Sequence, residues 1–211
     1  MQLILASASP ARLALLRQAG IEPVVRPTDV DEELRIASAE AEHGPLAPEA
    51  YVQLLARAKA EALLDEDALT AFDGLVLGGD SSLELGGRML GKPHTPERAR
   101  ERWLEQRGQE ATLHSGHWML RVRGGDILGA AGAATATTLR FAADMTDAEI
   151  DAYVATGEPL EVAGAFTIDG RGAAFIDTIT GDPSTVVGLS IPAVRRLARE
   201  LGVAWPELTS R

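Results

Sequence analysis

The sequence predicts an α/β protein, and three observations carry the prediction. Gln2 to Ala6 is a short apolar strand that runs straight into Ser9-Pro10, a hydroxyl N-cap with proline at the first helical position. Leu75 to Leu77 is an apolar run that ends in two glycines and Asp80. It reads as a buried strand delivering one carboxylate to the carboxyl end of a sheet, where open α/β sheets keep their sites. Around these two strands, capped segments with helical spacing alternate with runs punctuated by glycine.

Composition narrows the possibilities. A length of 211 residues suits one domain, residues 1–211, with a sizeable core. There are 20 Lys and Arg against 31 Asp and Glu, a net charge of -11. The average field therefore repels a nucleic acid polymer, and a small anionic substrate needs a local basic pocket or a bound cation. No window is apolar enough to span a membrane and the N-terminus lacks signal-peptide order, so a soluble, cytoplasmic protein is expected. The absence of cysteine excludes disulfides and thiolate chemistry.

Taken in order, the first strand feeds a helix holding Leu13 and Leu16 and stopped by Gly20. A helix N-terminus lined by Ser7 and Ser9 is a natural anion site, and Arg12 in its first turn could reach the same anion. Ser9 could equally be a helix cap and nothing more. Ile21 to Arg26 reads as a second strand, followed by an acidic run in which Asp31 or Glu32 is either a metal ligand or part of a solvated turn. Residues 38–48, broken by Gly44, Pro45 and Pro48, read as a flexible insert.

Val52, Leu55, Ala56 and Leu63 have helical spacing from Pro48 to Leu64, and Lys59 lies among small alanines, so its stem could cross packed surface toward a cleft. After Asp80, Ser82 to Leu85 and Arg88 to Leu90 form a hairpin that turns at Gly86-Gly87 and leads to Lys92. A strand-end carboxylate and a lysine a hairpin away could together hold a metal and a phosphate, or be merely a solvated acid and a surface lysine. A helix follows from Thr95 to Gly108, then strands across residues 111–142 with a turn at Gly124-Gly125. His114 and His117, three apart on a strand, face opposite sides and do not share a metal. Thr146 to Glu149 is a capping box whose helix ends at Gly157. Ala163 to Ile168 and Ala173 to Ile176 read as a hairpin with Asp169 at its turn, before a last helix from Ile191 to Leu201.

In order and spacing, LASASPAR, VDE, LARAKA, GGDSSL, GKP, AEIDAYVATGEP, VAGAF and GDPSTVVGLSI resemble the Maf family of nucleoside triphosphate pyrophosphatases over nearly the whole chain. The resemblance implies an elongated, mixed central sheet flanked by helices, similar to the inosine triphosphate pyrophosphatases, with a cleft between two lobes. It implies cleavage of a nucleoside triphosphate to monophosphate and pyrophosphate with a divalent cation, magnesium or manganese, in a protein that often forms a homodimer. It also implies the alternative of a nucleotide-binding regulator linked to septum formation. By resemblance Asp80 is the catalytic proton acceptor and a metal ligand with Glu32. Ser7, Ser9 and Arg12 form the phosphate-binding opening, and Lys59 and Lys92 face the triphosphate.

Several positions depart from the family pattern. Ala11 stands where a first arginine is usual, Ser81 where threonine follows the aspartate, Val162 where a lysine is usual, Phe166 where a tyrosine is usual and Asp169 where glutamine is expected. In the branch preferring dTTP and UTP the first arginine, the threonine and the glutamine are tied to specificity, so that preference is not expected here. The branch acting on 7-methyl-GTP is closer at Ala11, Val162 and Asp169. A carboxylate accepts from a guanine N–H edge, whereas glutamine both donates and accepts.

Overall fold

The computed structural model describes residues 1–64 and 69–209. Its strands are β1 (Gln2–Ala6), β2 (Val24–Val25), β3 (Asp73–Leu85), β4 (Arg88–Leu90), β5 (Glu110–Arg123), β6 (Asp126–Phe141) and β7 (Ile176–Thr180). They form one sheet in the order β2-β1-β3-β5-β6-β7, with β4 on β3. β1 is parallel to β2 and β3, whereas β4 on β3 and β7 on β6 are antiparallel, so the sheet is mixed. The helices are α1 (Pro10–Gln18), α2 (Glu32–His43), α3 (Pro48–Glu61), α4 (Pro96–Gln106), α5 (Asp147–Ala155), α6 (Pro183–Val187), α7 (Ile191–Glu200) and α8 (Trp205–Leu208). The predicted α/β class is borne out. Among the described residues no helix is long and apolar enough to cross a membrane.

The chain divides into two units. One comprises Met1–Asp80, Ser115–Thr135 and Gly188–Arg211, the other Ser81–His114 and Ala136–Val187. In the first, the period of two along β1 sends Leu3 and Leu5 to a core with Leu16, Leu77, Val194 and Leu197, and Ile4 and Ala6 to a core with Ala60, Leu63 and Val76. Both faces of β1 are thus covered by helices, which is why its sequence is apolar without alternation. Truncating fully buried Leu5 to alanine costs ~2–5 kcal/mol. In the second unit Trp103 of α4 is the hub. Its ring meets Phe141 and Tyr153 edge-on at centroid distances of 5.4 and 5.3 Å.

Three expectations are corrected. The second strand is only Val24–Val25: Ile21 N–H bonds back to Leu16 O at 2.9 Å, and Pro23 has no donor for a ladder. Residues 38–48 are not a flexible insert, because α2 runs through His43 and stops at Gly44 (φ 82°), leaving four linking residues before α3. Alanine and glutamate are strong helix formers, and Asp31 caps the helix. The hairpin expected over residues 163–176 is absent. Short 3-10 turns span Glu158–Glu161, Ala163–Ala165 and Arg171–Phe175, and the strand is Ile176–Thr180. Gly164 (φ 70°) and Ala165 (φ 63°) take left-handed conformations, and their carbonyls are captured by Gln106 Nε2 (2.6 Å) and Trp103 Nε1 (2.7 Å), so no ladder can use them.

Candidate active site

Asp80 does not lie at a strand tip, as the glycines suggest. β3 continues to Leu85, and what ends is its parallel partner, since the register closes at Ala6 opposite Gly78. Asp80 therefore stands two residues beyond the carboxyl end of β1. Alternation puts Val76, Gly78 and Asp80 on the face covered by α3. A Cβ on Gly78 would lie 2.1 Å from Ala56 O and 2.8 Å from Ala60 N, so α3 rests on bare strand backbone here. That close approach brings Lys59 onto Asp80, with Nζ 2.6 Å from Oδ1. Glu32, the first residue of α2, places Oε1 2.6 Å from the same Nζ. Asp31 instead accepts from Leu34 N–H at 2.9 Å as the helix cap, so Glu32 is the acid at the site.

The opposite face belongs to α1. A Cβ on Gly79 would sit 3.3 Å from Arg12 Nε. Arg12, almost wholly buried, donates from Nε to Gly188 O at 2.8 Å and from Nη1 to Ser7 Oγ at 3.0 Å. Ser9 Oγ accepts from Arg12 N–H at 3.3 Å, so the cap expected from the sequence is present. Ser7 Oγ also accepts from Ser9 N–H. Ala11 is half-buried in the first turn of α1.

Charge is concentrated where water is scarce. Burial pushes the Asp80 carboxyl above its ordinary range, against the opposing pull of Lys59 and Arg12, and Glu32 adds to the rise. Burial also lowers Arg12, with Asp80 and Glu32 working the other way. Asp80 is thus a stronger base than a solvated aspartate. Tyr51, half-buried on α3, has its hydroxyl pushed up by burial first and then by the charges of Asp80 and Glu32. The sequence reading missed it, although its spacing of eight from Lys59 puts both on one helical face.

Ser81, Lys92 and Asp169 belong to the second unit. Ser81 is half-buried on β3. Lys92 is 54% exposed, with Nζ 3.8 Å from Glu161, which also lies 3.3 Å from His94 Nδ1. Asp169 is exposed. The turn that carries it is held by Glu158, another residue the sequence reading missed. Its carboxylate accepts from Thr167 Oγ1 (2.6 Å) and Tyr153 OH (3.0 Å), and from the N–H groups of Arg171 and Gly172 (both 3.1 Å). No local signal marks such a clamp, because its partners lie up to fourteen residues away. His114 and His117 have separate partners, Glu84 for the first and backbone for the second, as their spacing implies.

The profile of the Maf-like protein family matches residues 2–201. The chain is 60% identical to a nucleoside triphosphate pyrophosphatase of Leifsonia xyli subsp. xyli, over 100% of this chain and 98% of that protein. It is 51% identical to a protein of the same name from Nocardia farcinica, over 98% and 95% of the two chains. Among solved structures, the Staphylococcus aureus Ham1 protein aligns with a TM-score of 0.46 at 15% identity, over 96% of this chain and 99% of that one.

Proposed function

This chain belongs to the Maf-like protein family, and from that premise we propose that it is a nucleoside triphosphate pyrophosphatase. Water adds to the α phosphorus of the substrate, the bond from that phosphorus to the bridging oxygen breaks, and nucleoside monophosphate and pyrophosphate leave. The observation that carries this reading is the convergence of Asp80 and Glu32 on Lys59 with buried Arg12 nearby.

Asp80, with its carboxyl raised by burial, orients the attacking water and accepts its proton. Arg12, Ser7 and Ser9 at the α1 N-terminus hold phosphate oxygens, and Lys59 offsets charge as it develops. Among the described residues no cluster of three or more His, Asp or Glu side chains forms a ready-made metal cage. The two carboxylates at Lys59 nevertheless fit magnesium or manganese, which bind through one or two carboxylates and otherwise use water and phosphate oxygens. When bound, such a cation neutralises phosphate charge and acidifies its water. Asp169 disfavours uracil and thymine because it only accepts hydrogen bonds. Resemblance to the family supports a homodimer as the working form.

Pyrophosphate release from a panel of normal and modified nucleoside triphosphates, with magnesium or manganese and alongside Asp80→Asn, tests the reading. Release from one class of nucleotide, abolished by the substitution, is expected. No release from any nucleotide overturns it. Asp169→Gln is expected to raise turnover of UTP relative to 7-methyl-GTP, and an unchanged ratio removes Asp169 from base selection.

A further inference from the structure

We infer that His117 is a positioning residue for Arg12, acting through the turn formed by Gly188, Leu189 and Ser190. The inference rests on the phosphate-binding role proposed for Arg12.

His117, on β5, is fully buried. Its Nδ1 lies 3.1 Å from Ala133 O, and its Nε2 lies 2.8 Å from Ser190 N. A carbonyl only accepts and a backbone N–H only donates, so Nδ1 carries the proton and Nε2 is the acceptor. The imidazole is therefore neutral and held from two sides. Ser190 is the N-cap of α7, where Oγ accepts from Ala193 N–H at 3.1 Å. An N-cap N–H has no acceptor within its own helix, and here His117 supplies one.

Two residues earlier, Gly188 has φ 120°, a conformation side-chain-bearing residues rarely adopt, and its carbonyl accepts from Arg12 Nε–H at 2.8 Å. Leu189 between them is buried, with Cδ1 3.5 Å from where a Cβ on Gly79 would stand. The turn is thus anchored by His117 at one end and by Arg12 at the other. Removing the imidazole leaves Ser190 N–H as a buried donor in need of a new acceptor. The turn then shifts, and the Gly188 carbonyl that aims the guanidinium shifts with it.

The test compares His117→Leu, which removes the acceptor, with His117→Gln, whose amide oxygen can take its place. His117→Asn, too short to reach Ser190, replaces the leucine variant where that fails to fold. Loss of the acceptor is expected to raise KM for the nucleoside triphosphate about tenfold, equivalent to ~1.4 kcal/mol, with kcat nearly unchanged. His117→Gln stays near the parent. In an Arg12→Ala background the His117→Leu substitution adds nothing further, the signature of action through one group. Additive losses, or equal losses in the Leu and Gln variants, overturn the inference. A second readout needs no turnover: exchange of the Arg12 Nε–H proton, followed by NMR, is expected to be slow in the parent and His117→Gln and fast in His117→Leu. Unchanged exchange in His117→Leu overturns the inference even where the enzyme is active. Accelerated exchange in a protein that cleaves no nucleotide sustains it and removes the proposed activity instead.

Discussion

The charges around Lys59 and those around Lys92 are built differently. Lys59 is 14% exposed, and its ammonium sits 2.6 Å from each of two carboxylates, on a helix whose backbone touches the strand beneath it. Lys92 is 54% exposed and meets Glu161 only at 3.8 Å, beside a glycine with open space around it. In the first, low dielectric makes each charge depend on its partners; in the second, water does most of the solvating. The first has the features of preorganised electrostatics, fixed before a ligand arrives, and the second those of a solvated surface charge.

The largest expected effect breaks the first region at its centre. Asp80→Asn lowers kcat by ~10²–10⁴-fold, the usual reach of a positioned base, while the melting temperature does not fall, because a neutral amide ends the burial of a charge. Initial rates and thermal melts check both. Next, Lys59→Met leaves Asp80 buried without its closest cation and costs ~3–5 kcal/mol of stability in denaturant titrations. Lys92→Met, measured in parallel, changes the unfolding free energy by less than ~1 kcal/mol.

Backbone substitutions sharpen the same contrast. Gly78→Ala forces α3 away from β3 and costs ~1–3 kcal/mol, with Lys59 displaced from Asp80. Gly91→Ala meets no atom within 4 Å and stays within ~0.5 kcal/mol of the parent. Equal losses in the two would show that α3 does not bear on Gly78.

The smallest effect lies at Glu158. Burial pushes its carboxyl up, but the hydrogen bonds from Thr167, from the N–H groups of Arg171 and Gly172, and from Tyr153 outweigh burial and hold it below the ordinary range. Its contribution to stability is therefore fully present above the unfolded value, about 4.3, and is lost as pH falls through the lower folded value. Melting temperature should drop on acidification below pH ~5 more steeply in the parent than in Glu158→Gln. Parallel curves would mean that the four bonds do not hold the Asp169 turn.

Much of this was legible in the chain itself. Ser9-Pro10, Thr95-Pro96 and Thr146 with Glu149 marked helix starts that the structure confirms, because capping is decided within four residues. Gly86-Gly87 marked the β3–β4 turn for the same local reason. Residues 38–43 carry loop signals only at Gly44 and the prolines that follow, whereas the alanines and glutamates before them are helix formers and continue α2 to His43. Residues 163–176 were misread because alternation imitates a strand, while the side chains of Trp103 and Gln106, some sixty residues away, claim the carbonyls a ladder needs.

The α/β class, the helix starts at Ser9, Thr95 and Thr146 and the family are written in the chain itself, and the resemblance to that family singles out Asp80, Glu32, Lys59 and Arg12. Three features come from tertiary packing alone: Asp80 lies past the end of β1 on an unbroken β3, Glu32 rather than Asp31 reaches Lys59, and Arg12 donates to Gly188 O. Caps and turns depend on neighbours in the chain, whereas burial, register and the meeting of distant charges exist only once the sheet has formed.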